Sequence, residues 1–112
     1  MDIMFKNRKL RKACADTKTR IREFGPVRAS LIGRRLDELA AAENLEVMRS
    51  LPRARCHELR QNRAGQLSVD LDHPYRLLFV VANDPVPCRA DGGLDWQRVT
   101  ALEIIGVEDT HE

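Results

Sequence analysis

The sequence predicts an α+β domain in which an N-terminal strand and two helices pack on an antiparallel sheet of about four strands. Three observations predict this fold class. Apolar residues recur at helical spacing through residues 27–43, whereas apolar and polar residues alternate through residues 67–71. Residues 75–82 are apolar at nearly every position, which is typical of a central strand covered on both faces. The helices therefore precede most of the sheet along the chain.

The first half of the chain begins with a short apolar run at residues 2–5, which predicts an edge strand. A helix is expected over residues 7–23, which are rich in Lys and Arg. Gly25 and Pro26 then interrupt the pattern, and because proline is tolerated in the first turn of a helix, a second helix is expected over residues 27–43. Its apolar stripe consists of Leu31, Ile32, Leu36, Leu39 and Ala40.

The second half is predicted to be mainly sheet. The alternating residues 67–71 form one strand and the apolar residues 75–82 form the next, and the short turn between them is typical of a hairpin. Residues 83–95 contain two prolines and two glycines and are expected to form a long loop. A last strand is predicted at about residues 99–107.

Size and composition indicate one ordinary soluble domain over residues 1–112. Hydrophobic residues make up 43% and charged residues 32% of the chain, and the formal net charge is +2. The sequence has no apolar run of membrane-spanning length and no signal-peptide core, so we expect a cytoplasmic protein. Three cysteines without CxxC spacing favour reduced thiols over disulfides or a zinc site. Neither a metal nor another cofactor is predicted.

Arg76 is the one charged residue in the apolar run of residues 75–82. An unpaired charge inside a sheet is costly, so this arginine must reach a cleft or a partner. One interpretation is a functional anion-binding role. The other is a structural salt bridge to Asp70 or Asp72 on the preceding strand.

A basic connection leads into the sheet. Arg55, His57, Arg60 and Arg63 lie within nine residues of one another, and together they are candidates to bind a phosphate backbone in a salt-dependent way. The alternative interpretation is a solvated loop. His73 precedes a proline in a tight turn, where a structural role is more common than a catalytic one.

Two segments carry a resemblance to a known family. HELRQNRAGQLSVDLDHPYRLLF and the closing EIIGVEDTH resemble the RelE/HigB superfamily of type II toxins, most closely the plasmid-maintenance killer or killer-suppression group. The resemblance implies a RelE/ParE-like fold with a curved sheet. It also implies a ribosome-dependent, metal-independent mRNA endoribonuclease that is inhibited by an adjacently encoded helix-turn-helix antitoxin. A monomer or weak dimer is expected without that antitoxin.

The resemblance further implies roles for particular residues. Arg76 would face the scissile phosphate, and His111 with Asp109 would belong to the catalytic cleft at the end of the chain. The basic loop would contact RNA. Thr110 departs from the family pattern, because relatives commonly carry an aromatic residue there, and a threonine hydroxyl is a poor acid that offers no stacking face.

Three alternative functions remain open at the level of sequence. The chain is also compatible with a catalytically weak or inactive RelE-like module that binds a partner protein, which Thr110 and the modest net charge favour. A ParE-type gyrase inhibitor is possible because fold does not fix function. A suppressor role ranks last, because a DNA-binding antitoxin normally contains a helix-turn-helix.

Overall fold

The computed structural model describes residues 1–110 and has an α+β architecture. This confirms the predicted fold class. The elements are β1 (Asp2–Phe5), α1 (Arg8–Ala15), α2 (Thr17–Ala41), β2 (His57–Glu58), β3 (Leu67–Asp70), β4 (Tyr75–Val81) and β5 (Ala101–Asp109). Short 3-10 helices occur at Leu45–Ser50, Gln61–Arg63 and Trp96–Arg98.

Within residues 1–110 the sheet is mixed and has five strands in the order β1-β5-β4-β3-β2. The predicted hairpin between β3 and β4 is confirmed, and β5 adds antiparallel to β4. The expectation of an antiparallel sheet of about four strands is wrong in two respects: β1 lies parallel to β5, and the two-residue β2 adds a strand at the other edge. The β1–β5 pairing joins the two ends of the chain, which local periodicity does not encode, and β2 is too short to show a period.

The helical half divides at two points. Gly25 has φ 78° and ψ 163°, a conformation that glycine adopts at little cost, and this confirms the predicted interruption before Pro26. The single helix expected over residues 7–23 is wrong, because it breaks at Asp16. The Asp16 carboxylate accepts hydrogen bonds from the N–H (3.0 Å) and hydroxyl (2.6 Å) of Thr19, so this residue caps the start of α2.

The bend at Gly25 brings the two segments of α2 together. The Arg20 guanidinium lies so close to Gly33 that a Cβ atom there would be 2.8 Å from Arg20 Nη2. In a straight helix these two residues would be separated by roughly 20 Å, since each residue adds about 1.5 Å. Arg20 also donates to the carbonyl of Cys14 at 2.9 Å and so links α2 to α1.

Two arginines of α2 attach the helices to the β3–β4 hairpin. Arg35 is buried, and its Nε donates to the Asp70 carbonyl at 2.7 Å. Arg28 binds both carboxylate oxygens of Asp72 at 3.0 Å, and its guanidinium lies 3.6 Å from the centroid of the Tyr75 ring. The hairpin is therefore fixed from its helix side.

The main core lies between the helices and one face of the sheet. It is built from buried residues that include Ile32, Leu39, Leu45, Met48, Leu67, Val69, Leu77, Phe79, Trp96, Leu102 and Ile104. Among residues 1–110, the helices are all too short or too polar to cross a membrane. The opposite face of the sheet carries the polar side chains described next.

Candidate nucleic-acid interface

A row of charged residues crosses the face of the sheet that points away from the main core. Asp70 of β3 is paired in register with Arg76 of β4, which is paired with Glu108 of β5. Directly opposite residues in antiparallel strands place their side chains on the same face. Arg55 and Arg63 extend this row at its two ends, as described below, and we call these five residues the charged row.

Arg76 lies at the centre of the row and is only 7% exposed. Its Nε is 3.6 Å from Oδ1 of Asp70, which is an ion-pair distance. Of the two salt bridges considered from the sequence, the one to Asp70 is therefore present, whereas Asp72 pairs with Arg28. This ion pair compensates part of the charge of Arg76, since the Asp70 carboxylate is shared with Arg55.

Asp70 also orients Arg55. The Arg55 guanidinium donates from Nε at 2.8 Å and from Nη2 at 3.1 Å to the two carboxylate oxygens of Asp70. These hydrogen bonds raise the pKa of Arg55 and keep it charged at any physiological pH. Arg55 has a positive φ of 43°, which is uncommon for a residue with a side chain, and the bidentate pair offsets the cost of this conformation.

Arg63 closes the other end of the row. It follows β2 in the sequence, yet its Nη2 lies 3.0 Å from Oε1 of Glu108 on β5. Glu108 is two strands away from β3, so the connection between β2 and β3 folds over the sheet face. The hydrogen bond between Arg63 and Glu108 therefore links the β2–β3 connection to β5.

Beside the charged row, an open groove follows the edge strand β2. Its polar lining includes Arg49, Arg55, His57, Glu58 and Arg60, and we call this surface the basic groove. Three of the four residues predicted to bind RNA therefore lie together. Arg49 was missed by the sequence analysis because only the fold brings it next to β2.

Two side chains of the basic groove have defined orientations. The Arg49 guanidinium stacks 3.9 Å from the centroid of the Trp96 ring, and Trp96 donates its ring N–H to Glu58 at 3.1 Å. His57 Nδ1 is 2.9 Å from the carbonyl oxygen of Arg55. A carbonyl only accepts, so Nδ1 carries the proton, and Nε2 of the neutral ring is left as an acceptor.

The predicted catalytic residues near the chain end are not all brought to this face. Asp109 is paired with Tyr75, and the alternation of side chains along β5 directs it to the face opposite Glu108. The Asp109 side chain therefore points away from Arg76, whereas the resemblance implied that both residues line one cleft. The Thr110 hydroxyl is buried and has no hydrogen-bond partner within residues 1–110. His111 lies outside the described residues, and His73 is exposed in the hairpin turn.

Other chemistries find little support in the described part of the chain. Residues 1–110 contain no group of three or more His, Cys, Asp or Glu side chains arranged to hold a metal ion. Burial raises the pKa of Cys14 to about 11 and that of Cys56 to about 12, so neither thiol is an activated nucleophile. The arginines are the groups at this face best suited to an anionic ligand.

In comparisons with protein-family models and with curated proteins, no family model and no curated protein matches the chain.

Proposed function

We propose that the chain is the toxin of a bacterial type II toxin-antitoxin system and acts as a ribosome-dependent mRNA endoribonuclease. One observation carries the proposal: Arg55 belongs both to the basic groove and to the charged row that contains Arg76. An RNA backbone bound along the groove would therefore lead directly to the buried arginine. Binding of this kind relies on phosphate contacts and weakens steeply with salt.

The chemistry follows from the residues at this junction. A ribose 2′-hydroxyl attacks the adjacent phosphate, which requires a base, an acid and cations for the developing negative charge. The scissile phosphate takes the place of the Asp70 carboxylate, so the guanidiniums of Arg76 and Arg55 exchange one anion for another. Nε2 of His57 is available to accept the 2′-hydroxyl proton. The P–O5′ bond breaks as the 2′,3′-cyclic phosphate forms, and His111, proposed as the acid by its resemblance to the family motif, protonates the departing 5′-oxygen.

The biological setting is part of the same proposal. The RelE/HigB resemblance carries with it a cytoplasmic location, action on translated mRNA at the ribosome and inhibition by a helix-turn-helix antitoxin. The RelE-like fold assignment rests on that resemblance and on the α+β architecture with its central antiparallel strands.

A second candidate function is a RelE-like module that binds a partner protein without cleaving RNA. Two observations favour it. Arg76 already faces Asp70, so RNA must compete with an internal carboxylate. Thr110 buries its hydroxyl where relatives carry an aromatic side chain. The two functions differ in whether expression of the chain produces new RNA ends.

The test is inducible expression in bacteria, with growth and the 5′ ends of cellular RNA recorded after induction. The nuclease proposal predicts growth arrest and new ends within translated regions. Arg76→Lys, which keeps the charge but loses the planar fork, should remove the cuts, as should the double variant Arg55→Ala/Arg60→Ala. Arg34→Ala is the control, because Arg34 is exposed on α2 and belongs to neither the basic groove nor the charged row.

The outcomes separate the candidates. Arrest and cuts that persist in the folded Arg76→Lys protein would contradict the proposed chemistry. Normal growth with intact RNA, together with stable binding to the product of an adjacent helix-turn-helix gene, would favour the binding module.

A further inference from the structure

The outer edge of β1 and the neighbouring α1 form a second surface, at the opposite edge of the sheet from the basic groove. A groove runs between them and is lined by Ile3, Met4 and Phe5 of β1 and by Asn7, Arg8 and Arg11 beside it. Met4 is 44% exposed and contributes apolar surface to this groove. This surface shares no residue with the charged row or the basic groove.

The backbone of β1 presents hydrogen-bonding groups at this edge. The N–H groups of Asp2 and Lys6 donate to carbonyls within residues 100–104, each at 2.9 Å. Alternate residues of a strand direct their N–H and C=O groups to opposite sides, so those of Ile3 and Phe5 point away from β5. In the described part of the chain, no hydrogen bond is formed by these outward groups. The edge therefore has the pattern that accepts an added strand.

The charge next to this edge is mainly positive, although the Asp16 carboxylate lies near Lys12 and β1 itself carries the exposed Asp2. The sequence of α1 contains Arg8, Lys9, Arg11 and Lys12 and no acidic residue. None of these four side chains forms an ion pair with another residue in the range 1–110. The arginines of the charged row, in contrast, have carboxylate partners inside the chain. The start of α1 adds the partial positive charge of a helix N-terminus.

We propose that this surface binds an extended acidic segment of a partner protein, which adds to the sheet as a strand next to β1. The backbone of the segment would pair with Ile3 and Phe5, its apolar side chains would cover Met4, and its carboxylates would face Arg8 and Arg11. This inference uses residues other than those of the proposed nuclease site and does not depend on that function.

Two other occupants fit less well. A second copy of the chain, paired edge to edge through β1, would bring the cations of both α1 helices close together, and this repulsion opposes a dimer. A nucleic acid would satisfy the positive charge, but it lacks the regularly spaced N–H and C=O groups that complement a strand edge, and it gains little from covering Met4.

The test uses a fluorescently labelled peptide of about nine residues that alternates Glu and Val, a length that covers a short edge strand. Binding is measured by fluorescence anisotropy at about 50 mM salt, where charge interactions are weakly screened. Arg8→Glu/Arg11→Glu should weaken binding by about tenfold or more. Arg34→Glu/Arg53→Glu, which reverses two exposed cations elsewhere, should change it by less than about twofold.

Hydrogen exchange distinguishes strand addition from simple charge attraction. Peptide binding should slow exchange of the Ile3 and Phe5 amides, because each gains a hydrogen bond. The proposal would be overturned by unchanged exchange at these amides, by equal losses in the two double variants, or by tighter binding of a single-stranded RNA of equal charge to the same residues. Concentration-dependent self-association that protects the same amides in the absence of peptide would also overturn it.

Discussion

The most informative perturbation of the fold is Asp70→Asn, because one carboxylate holds two arginines of the charged row. The substitution keeps the size of the side chain but removes its charge. The backbone N–H of Asp70 still donates to Ala54, and its carbonyl still accepts from Arg35. Any change in stability therefore reports on the carboxylate and its contacts with Arg55 and Arg76.

The expected loss of stability in Asp70→Asn follows from the exposure of Asp70 and of its two arginine partners. Loss of one member of a fully buried ion pair costs about 3 to 5 kcal/mol. The Arg76 side chain is 9% exposed but Asp70 is 29% exposed and their contact is long at 3.6 Å, so about half of that range applies, roughly 2 kcal/mol. The Arg55 side chain is 49% exposed, so its pair adds no more than about 1 kcal/mol. We expect a total of about 2 to 3 kcal/mol.

Urea unfolding and thermal melting measure this effect. The melting temperature should fall by roughly 10 °C, since each kcal/mol corresponds to about 4 °C in a domain of this size. Asp95→Asn is the matched control, because its partner Arg98 is 61% exposed, and it should cost less than about 0.5 kcal/mol. Equal, small losses for Asp70→Asn and the control would refute the view that Asp70 organises the charged row.

Two further predictions concern the helices and the cysteines. Gly33→Ala should change the free energy of unfolding by less than about 0.5 kcal/mol, because the gain in helix propensity is offset when the new Cβ displaces Arg20 from the Cys14 carbonyl. In an Arg20→Ala background the same substitution should stabilise the protein by about 1 kcal/mol. Urea denaturation that shows equal effects in both backgrounds would contradict the contact between Arg20 and Gly33. Iodoacetamide at pH 8 should modify the exposed Cys88 first. The half-buried Cys56 should react more slowly and the buried Cys14 only on unfolding, because burial raises their pKa to about 12 and about 11 respectively; mass spectrometry that finds Cys56 modified as fast as Cys88 would contradict the structure.

Features of the fold that depend on local backbone chemistry were predictable from the sequence. Gly25 and Pro26 interrupt a helix wherever they occur together, and the alternation before Asp72 sets the register of the β3–β4 hairpin. The break at Asp16 was not predicted, because aspartate is tolerated within a helix and only its hydrogen bonds to Thr19 make it a cap. The parallel pairing of β1 with β5 joins the two ends of the chain and has no local signal.

The candidate site was predictable only in part, for a related reason. A single charge in an apolar run draws attention to Arg76, and the hairpin register makes Asp70 its neighbour. The position of Arg49 over Trp96 depends on how the segment after α2 packs, which no spacing indicates. Asp109 was expected in the catalytic cleft because it belongs to the closing motif. Alternate side chains of β5 point to opposite faces of the sheet, so neighbouring residues of that motif do not share one face.

The most direct test of the proposed RNA site is an NMR titration with a short single-stranded RNA whose 2′-hydroxyls are methylated, so that it binds without being cleaved. We predict that the largest shifts occur at Arg55, His57 and Arg60 and at the side-chain N–H groups of Arg76, and that they diminish as salt is raised. Shifts confined to the cations of α1, with Arg76 unchanged at saturating RNA, would contradict the assignment of the charged row and the basic groove as the nucleic-acid interface.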